Sequence, residues 1–337
     1  MTRASRSLLL AAVLLAGCGS GKQAAQPLSP RAYLDHALQL LQAHAVYVPR
    51  PGWAAVTAEA RSMASSATTP SDTYAAIRYA IGRLRETGDL HAEFTSASMA
   101  KLRQPGAQGN VATPPPSVSL AAPRIGLIVV SPIMSALGSA EARRYASRAL
   151  VGLTALQERD RPCGWIVDLR SDPGGDMWPM LLAVGPILGS GRVIGFTGGS
   201  GSIGYVTYRD GLLSGGGYTS RAAPTVPDFA PAPPVAVLTS ENTLSSGEAV
   251  AIAFRGRPNT RSFGSATGGA TNSARLYLLP DGATIFLSTH WDVDRGGRVY
   301  KQSIVPDVLA PGRGGIDDAR RAAVKWLLST SECRAGR

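Results

Sequence analysis

The chain has 337 residues, with 34 Lys and Arg against 23 Asp and Glu, for a formal net charge of +11. A length of this order holds one large or two moderate domains. The arginines are scattered and form no Lys/Arg-rich block, so the basic excess implies attraction to anionic surfaces rather than nucleic-acid recognition.

Taken in order, Arg3 and Arg6 precede the apolar run Leu8–Leu15, and the small residues Ala16 and Gly17 precede Cys18. This pattern resembles a secretory signal peptide, and Leu15-Ala16-Gly17-Cys18 resembles the lipobox of bacterial lipoproteins. An ordinary signal with a chance cysteine is the alternative. The lipobox resemblance implies removal of residues 1–17 and acylation of the Cys18 thiol. The chain would then be lipid-anchored in a bacterial cell envelope, in the periplasm or on the outer surface. The run is too short for a spanning helix, which needs ~20 residues. Removal of the leader takes the net charge to +9. Residues 18–28 read as a flexible tether. An oxidising compartment permits Cys163 and Cys333 to pair; two unpaired thiols are the other possibility. No Cys/His spacing matches a metal site, and no cofactor is expected.

Residues 29–100 read as a helical N-terminal subdomain. Ser29-Pro30 and Thr69-Pro70 are helix-start signals, followed by the apolar stripes Leu34, Ala37, Leu38, Leu41 and Tyr74, Ile77, Ile81, Leu84. Residues 101–123, rich in Pro and Gly, read as a linker. Residues 124–330 alternate strand and helix. Strands are predicted at Ile125–Val130, Gly164–Leu169 and Val235–Leu238. Helices are predicted from Ser139 to about Glu158, over Met177–Leu188, from the serine turn to about Phe254, and from Asp317 to Leu328. Alternation of this kind indicates an α/β core with a largely parallel sheet. Arg275–Leu279 and Thr284–Leu287, joined by Pro280-Asp281-Gly282, read as a C-terminal β-hairpin. Gly198–Gly204 lacks the ending of a phosphate loop and reads as a flexible loop at a site mouth. Met177-Trp178-Pro179-Met180 reads as core packing, and His36 and His44 as structural residues of a helix.

Two turns carry chemistry. Thr243-Leu-Ser-Ser-Gly-Glu-Ala-Val250 places Ser245 or Ser246 between a strand and a helix, where unpaired N–H groups and the positive dipole end gather. Asp168-Leu-Arg-Ser-Asp-Pro-Gly-Gly175 places two glycines after another strand, where a backbone without Cβ can approach a substrate carbonyl. A serine needs a base and an oxyanion site to act as a nucleophile. Alone, each turn also fits a blander role, an N-cap or an ordinary glycine turn.

Together these residues resemble the C-terminal processing peptidases, or tail-specific proteases. Asp168–Gly175 is similar to their DLR-x-N-x-GG element, with Asp172 in place of Asn. Ser245-Ser-Gly-Glu248 is similar to their S-A-S-E element, which implies Ser245 as nucleophile. Gly264–Gly269, Leu279-Pro-Asp-Gly282 and Val305-Pro-Asp307 resemble later family turns, and Asp89-Leu-His91 resembles the D-x-H step. The resemblance implies a ClpP/crotonase-like core, a peptide or protein substrate, and oxyanion contacts from Gly174, Gly175 and Ser246. There are two departures. About 35 residues separate His91 from the first core strand, too few for the PDZ domain many members carry. Ala270 stands where the processing branch has its lysine base.

The tricorn-like and retinoid-binding-like branch of the family keeps a histidine where His91 stands, which makes His91 the expected base; its ordinary pKa near 6.5 suits that task. His290 is a second candidate. The acid of a triad is open among Asp292, Asp294, Glu248 and Asp89, because Tyr300 stands where the family glutamate falls. Three functions follow: a membrane-anchored serine peptidase, a catalytically inactive binder of extended peptides or a lipid-like ligand, and an esterase on the same core.

Overall fold

The computed structural model describes residues 28–49, 52–102, 114–135, 138–199, 201–221, 229, 232–312 and 317–335. The leader, Cys18 and the tether up to residue 27 lie outside the described residues. The N-terminal part folds as α1 (Pro30–His44), α2 (Trp53–Met63), a 3₁₀ turn (Pro70–Thr73) and α3 (Tyr74–Glu86). Next come β1 (Glu93–Thr95), α4 (Ala97–Leu102), β2 (Ser117–Ala122), β3 (Ile125–Val129), α5 (Ala140–Asp160), β4 (Gly164–Asp168) and α6 (Met177–Leu188). The segment that follows adds β5 (Gly191–Thr197), β6 (Ile203–Arg209), β7 (Leu212–Gly215) and β8 (Tyr218–Arg221). The chain closes with β9 (Val235–Thr239), α7 (Ser246–Phe254), β10 (Thr260–Gly264), β11 (Asn272–Leu278), β12 (Thr284–Val293), β13 (Val308–Leu309), α8 (Asp318–Leu328) and α9 (Ser331–Arg334).

The mixed α/β fold predicted from the strand–helix alternation is present. Its first sheet has six strands in the order β13-β10-β9-β4-β3-β2, parallel except for the β2–β3 pair. Its central strands β3, β4 and β9 are buried on both faces, which explains their continuous apolar runs. Ile128, Trp165, Val167, Val235 and Val237 face α5, α6 and α7. Their alternates Ile125, Leu127, Ile166, Ala236 and Leu238 face Ala319, Ala323 and Leu327 of α8. Trp165 fits because Gly126 lies opposite; a Cβ there would stand 2.6 Å from the ring.

The second sheet is antiparallel, with β1-β12-β5-β6-β7-β8 in order and β11 on β12. Two sequence expectations change here. Residues 101–123 are not all linker, because Ser117–Ala122 pairs with β3 and Val118 and Leu120 pack against its core. The predicted hairpin is longer than read, and Gly198–Gly204 is its neighbour's turn: Ile203 and Gly204 already belong to β6. The helices α1 to α3 do not stand apart. Their stripes form one core with Leu279, Ala283, Ile285 and Leu287 of the hairpin. Tyr33 and Tyr74 both donate to the Asp281 carboxylate in its turn, at 2.7 and 2.5 Å.

Candidate active site

Adjacent parallel strands bring the two informative turns together. In the β4–β9 pair Asp168 sits opposite Leu238, so the loops leaving their C-terminal ends run side by side, where open α/β sheets carry ligand sites. The loops are stitched by Thr243 Oγ1 donating to Leu169 O (2.8 Å), Ser240 Oγ to Arg170 O (2.7 Å) and Leu244 N to Asp172 O (3.0 Å). Ser245 then takes φ 50° and ψ −115° as the N-cap of α7. That conformation is strained for a residue with a side chain, costing about 1–3 kcal/mol, and strain of this kind gathers at functional sites. Glu248, one turn into α7, accepts Ser245 N at 3.1 Å and Gly269 N at 2.8 Å, and also takes the Thr267 hydroxyl. Burial raises its pKa, and these donors oppose the rise.

Gly174 and Gly175 have φ of +108° and +127°. A Cβ on Gly174 would stand 2.9 Å from Ser245 Cβ, and one on Gly175 2.1 Å from Ile133 O, so only glycine permits this approach. Gly174 N donates to Asp172 Oδ1 at 3.0 Å instead of pointing into the cleft. Ser246 Oγ donates to Gly175 O at 2.6 Å and couples the glycine turn to α7. Of the three residues expected around an oxyanion, Gly175 and Ser246 line the cleft. Gly174 serves by close approach.

His91 reaches Ser245 from the helical part of the chain. It follows α3, and β1 pairs with β12 just beyond it. His91 Nε2 lies 3.0 Å from Ser245 Oγ, and Nδ1 lies 2.7 Å from Asn272 Oδ1. Asn272 Nδ2 donates to Tyr47 OH at 3.3 Å, which leaves Oδ1 to accept. Nδ1 therefore carries the hydrogen, and Nε2 is left as acceptor for the serine hydroxyl. Ser288 Oγ stands behind, 3.3 Å from Nδ1 and 2.6 Å from both Asn272 Oδ1 and Asp89 Oδ1. Its single hydrogen serves one of those oxygens at a time. Asp89 is buried and accepts the amides of His91 (3.0 Å), Ala92 (3.1 Å) and Ser288 (3.3 Å). The D-x-H spacing thus shapes the loop that presents His91.

Residues 125–310 match the model of peptidase family S41, over more than half of the chain. The chain belongs to family S41. It is 32% identical over 167 residues to a nisin-resistance protein of Lactococcus lactis subsp. lactis, an alignment covering 49% of this chain and 50% of that protein. The chain thus matches about half the length of this curated relative. Its fold is similar to that of a lipoprotein from Streptococcus agalactiae, with TM-score 0.68 at 22% identity, covering 91% of this chain and 98% of the other. It is also similar to the photosystem II D1 C-terminal processing protease, with TM-score 0.60 at 14% identity, covering 91% and 99%.

Of the other predicted residues of this S41 chain, Asp292 lines the cleft and the rest have different roles. His290 interacts with Thr289 Oγ1 at 2.9 Å, and burial, then the charge of Arg275, lowers its pKa. Among the acids, Asp294 holds a turn by accepting Gly296 N, Arg298 N and Tyr300 OH. Ala270 is buried, with no base at that position. Met180 is core, as expected for the segment, and Met177 and Trp178 pack partly buried against that core while also lining the cleft. Trp178 rests edge-on against Tyr218, a strand the sequence reading did not foresee. Asn272, Ser288 and Tyr47 also escaped that reading; none carries a spacing signal. Among the described residues, no group of three His, Cys, Asp or Glu is placed to hold a metal ion.

Proposed function

We propose that this S41 chain is a membrane-anchored serine peptidase with Ser245 as nucleophile and His91 as base. The 3.0 Å contact from Ser245 Oγ to His91 Nε2 carries the reading, since it lies within the reach a general base needs. The serine Oγ attacks a peptide carbonyl as its proton passes to Nε2. The amides of Gly175 and Ser246 receive the developing oxyanion at the start of α7. Collapse breaks the C–N bond while Nε2 returns the proton to the leaving amine. Water, deprotonated by His91, then releases the acyl group from Ser245 by the same steps. Asn272 holds the imidazole in its productive tautomer, and the Ser288–Asp89 pair supports the positive charge that forms.

An inactive binder would leave Ser245 and His91 beyond hydrogen-bonding distance, and the observed contact favours catalysis over it. Small esters fit the same chemistry and serve as a comparison substrate. The likeness to a nisin-resistance protein makes nisin a first peptide to try. The test is labelling by a serine-directed fluorophosphonate together with turnover of a peptide library. Both should fall by at least about 10³-fold in Ser245→Ala and His91→Ala. Full labelling and turnover in His91→Ala would overturn the assigned base, and turnover of esters alone would replace peptidase by esterase.

A further inference from the structure

The cleft at Ser245 has a volume of 370 Å³, and its lining contains two carboxyl groups, Asp176 and Asp292, and no Lys or Arg. That is unexpected in a chain of net charge +11. The walls are apolar: Met134, Met177, Trp178, Phe196 and Phe286. The two acids differ in how they are satisfied. Asp176 caps α6, with Oδ1 accepting Trp178 N at 3.0 Å and Oδ2 accepting Ser135 Oγ at 3.1 Å. Asp292 is 2% exposed, and its Oδ1 is buried without a hydrogen-bond partner.

The contrast with other buried acids is plain. Asp89, Glu248 and Asp294 each accept three or more hydrogen bonds. Asp172 also has an unpartnered oxygen, but it lies beneath the glycine turn and is not part of the cleft wall. The backbone of Asp292 is fixed. Its N–H donates to Thr271 O (3.2 Å), its carbonyl accepts Tyr300 N (2.9 Å), and it sits opposite Phe196 in the β12–β5 pair. A rigid strand therefore holds in the cleft lining a carboxyl that has one oxygen buried and unsatisfied. An orphaned buried acceptor is unfavourable until a donor reaches it.

We propose that Asp292 is the specificity-determining residue of this cleft and receives the basic side chain of a peptide whose flanking residues are apolar. A Lys or Arg stem packs along the aromatic and methionine walls while its charged head donates to the carboxylate. Glu248 acts on Asp292 through its negative charge and Asp176 lines the same cleft, so a cation is preferred over a neutral donor. Burial, and then the charge of Glu248, pushes the Asp292 pKa well up. This inference rests on the cleft being the peptide site of the proposed peptidase.

The test separates binding from hydrolysis by using the full chain with Ser245→Ala. Three blocked hexapeptides, identical but for a central Lys, norleucine or Glu, are titrated by calorimetry. The Lys peptide should bind about 10- to 100-fold more tightly than its norleucine twin, and the Glu peptide most weakly. Adding Asp292→Asn should reduce the Lys-to-norleucine ratio to within about threefold. Equal affinities in Ser245→Ala, no binding of any peptide, or an unchanged ratio with Asp292→Asn would each overturn the proposal. Absence of hydrolysis by the unmodified chain, with Lys-selective binding intact, would overturn the peptidase reading and leave the specificity standing.

Discussion

An amide oxygen, from Asn272, accepts the Nδ1–H of His91 where a Ser-His-Asp arrangement uses a carboxylate. It selects the tautomer without a charge of its own; the carboxyl of Asp89 lies one hydroxyl further back. Ser245, His91 and the glycine pair were legible because each sits in a short motif. Asn272 was not, since it is an ordinary residue at a strand start, two positions past Ala270. Asp172 offers a prediction at this scale. Burial raises its pKa to about 7, against the opposing donation from Gly174 N. An unfolded aspartate titrates near 3.9. Below that value both states are protonated and nothing is lost. As pH rises from about 4 to about 7 the unfolded chain ionises first, and native stability falls by up to about 4 kcal/mol. Asp172→Asn keeps an acceptor for Gly174 N without the charge. Urea unfolding should therefore show the variant and parent equal at pH 4 and the variant more stable at pH 8. A difference that does not grow with pH would show that Asp172 is ionised throughout.

At the scale of elements, the parallel core was readable because strands buried on both faces are apolar runs with helices between them. The strands β5 to β8 were not read, although Val206 and Tyr208 of β6 alternate with exposed neighbours. Glycines at 195, 198, 199, 201 and 204 interrupt the period and imitate a loop. The sulfurs of Cys163 and Cys333 are bonded, with Cα atoms 5.0 Å apart and 170 residues between them in sequence. The bridge ties α9 to the residue before β4. This is the end of the strand opposite the loop that carries Gly174. Replacing both cysteines by Ala should lower unfolding stability by about 2–4 kcal/mol while leaving kcat within about twofold. Unchanged denaturation midpoints with and without reductant would argue against the bridge.

Across the whole molecule, the leader, Cys18 and the tether up to residue 27 lie outside the described residues. Among the described residues no helix is long and apolar enough to cross a membrane. We propose that acyl chains on Cys18, each buried CH₂ contributing about 0.8 kcal/mol, hold the enzyme at the envelope, with residues 18–28 as tether. Cys18→Ser should shift the protein from the membrane to the soluble fraction with catalysis unchanged. Retention at the membrane would point to another anchor.

By itself, the sequence determined the local pieces: the strand–turn–helix that sets Ser245 at the head of α7, the glycine turn after β4, and the D-x-H loop. Periodicity and turn chemistry act within a few residues, so these pieces need no partner to be specified. Only the tertiary structure decided which side chains meet. His91 lies 181 residues from Asn272 and 197 from Ser288. They converge because the helical stripes of α1 to α3 bury themselves against the β11–β12 hairpin. The unsatisfied carboxyl of Asp292 is likewise a product of packing, since nothing in a strand's own residues says what its neighbours leave unpaired.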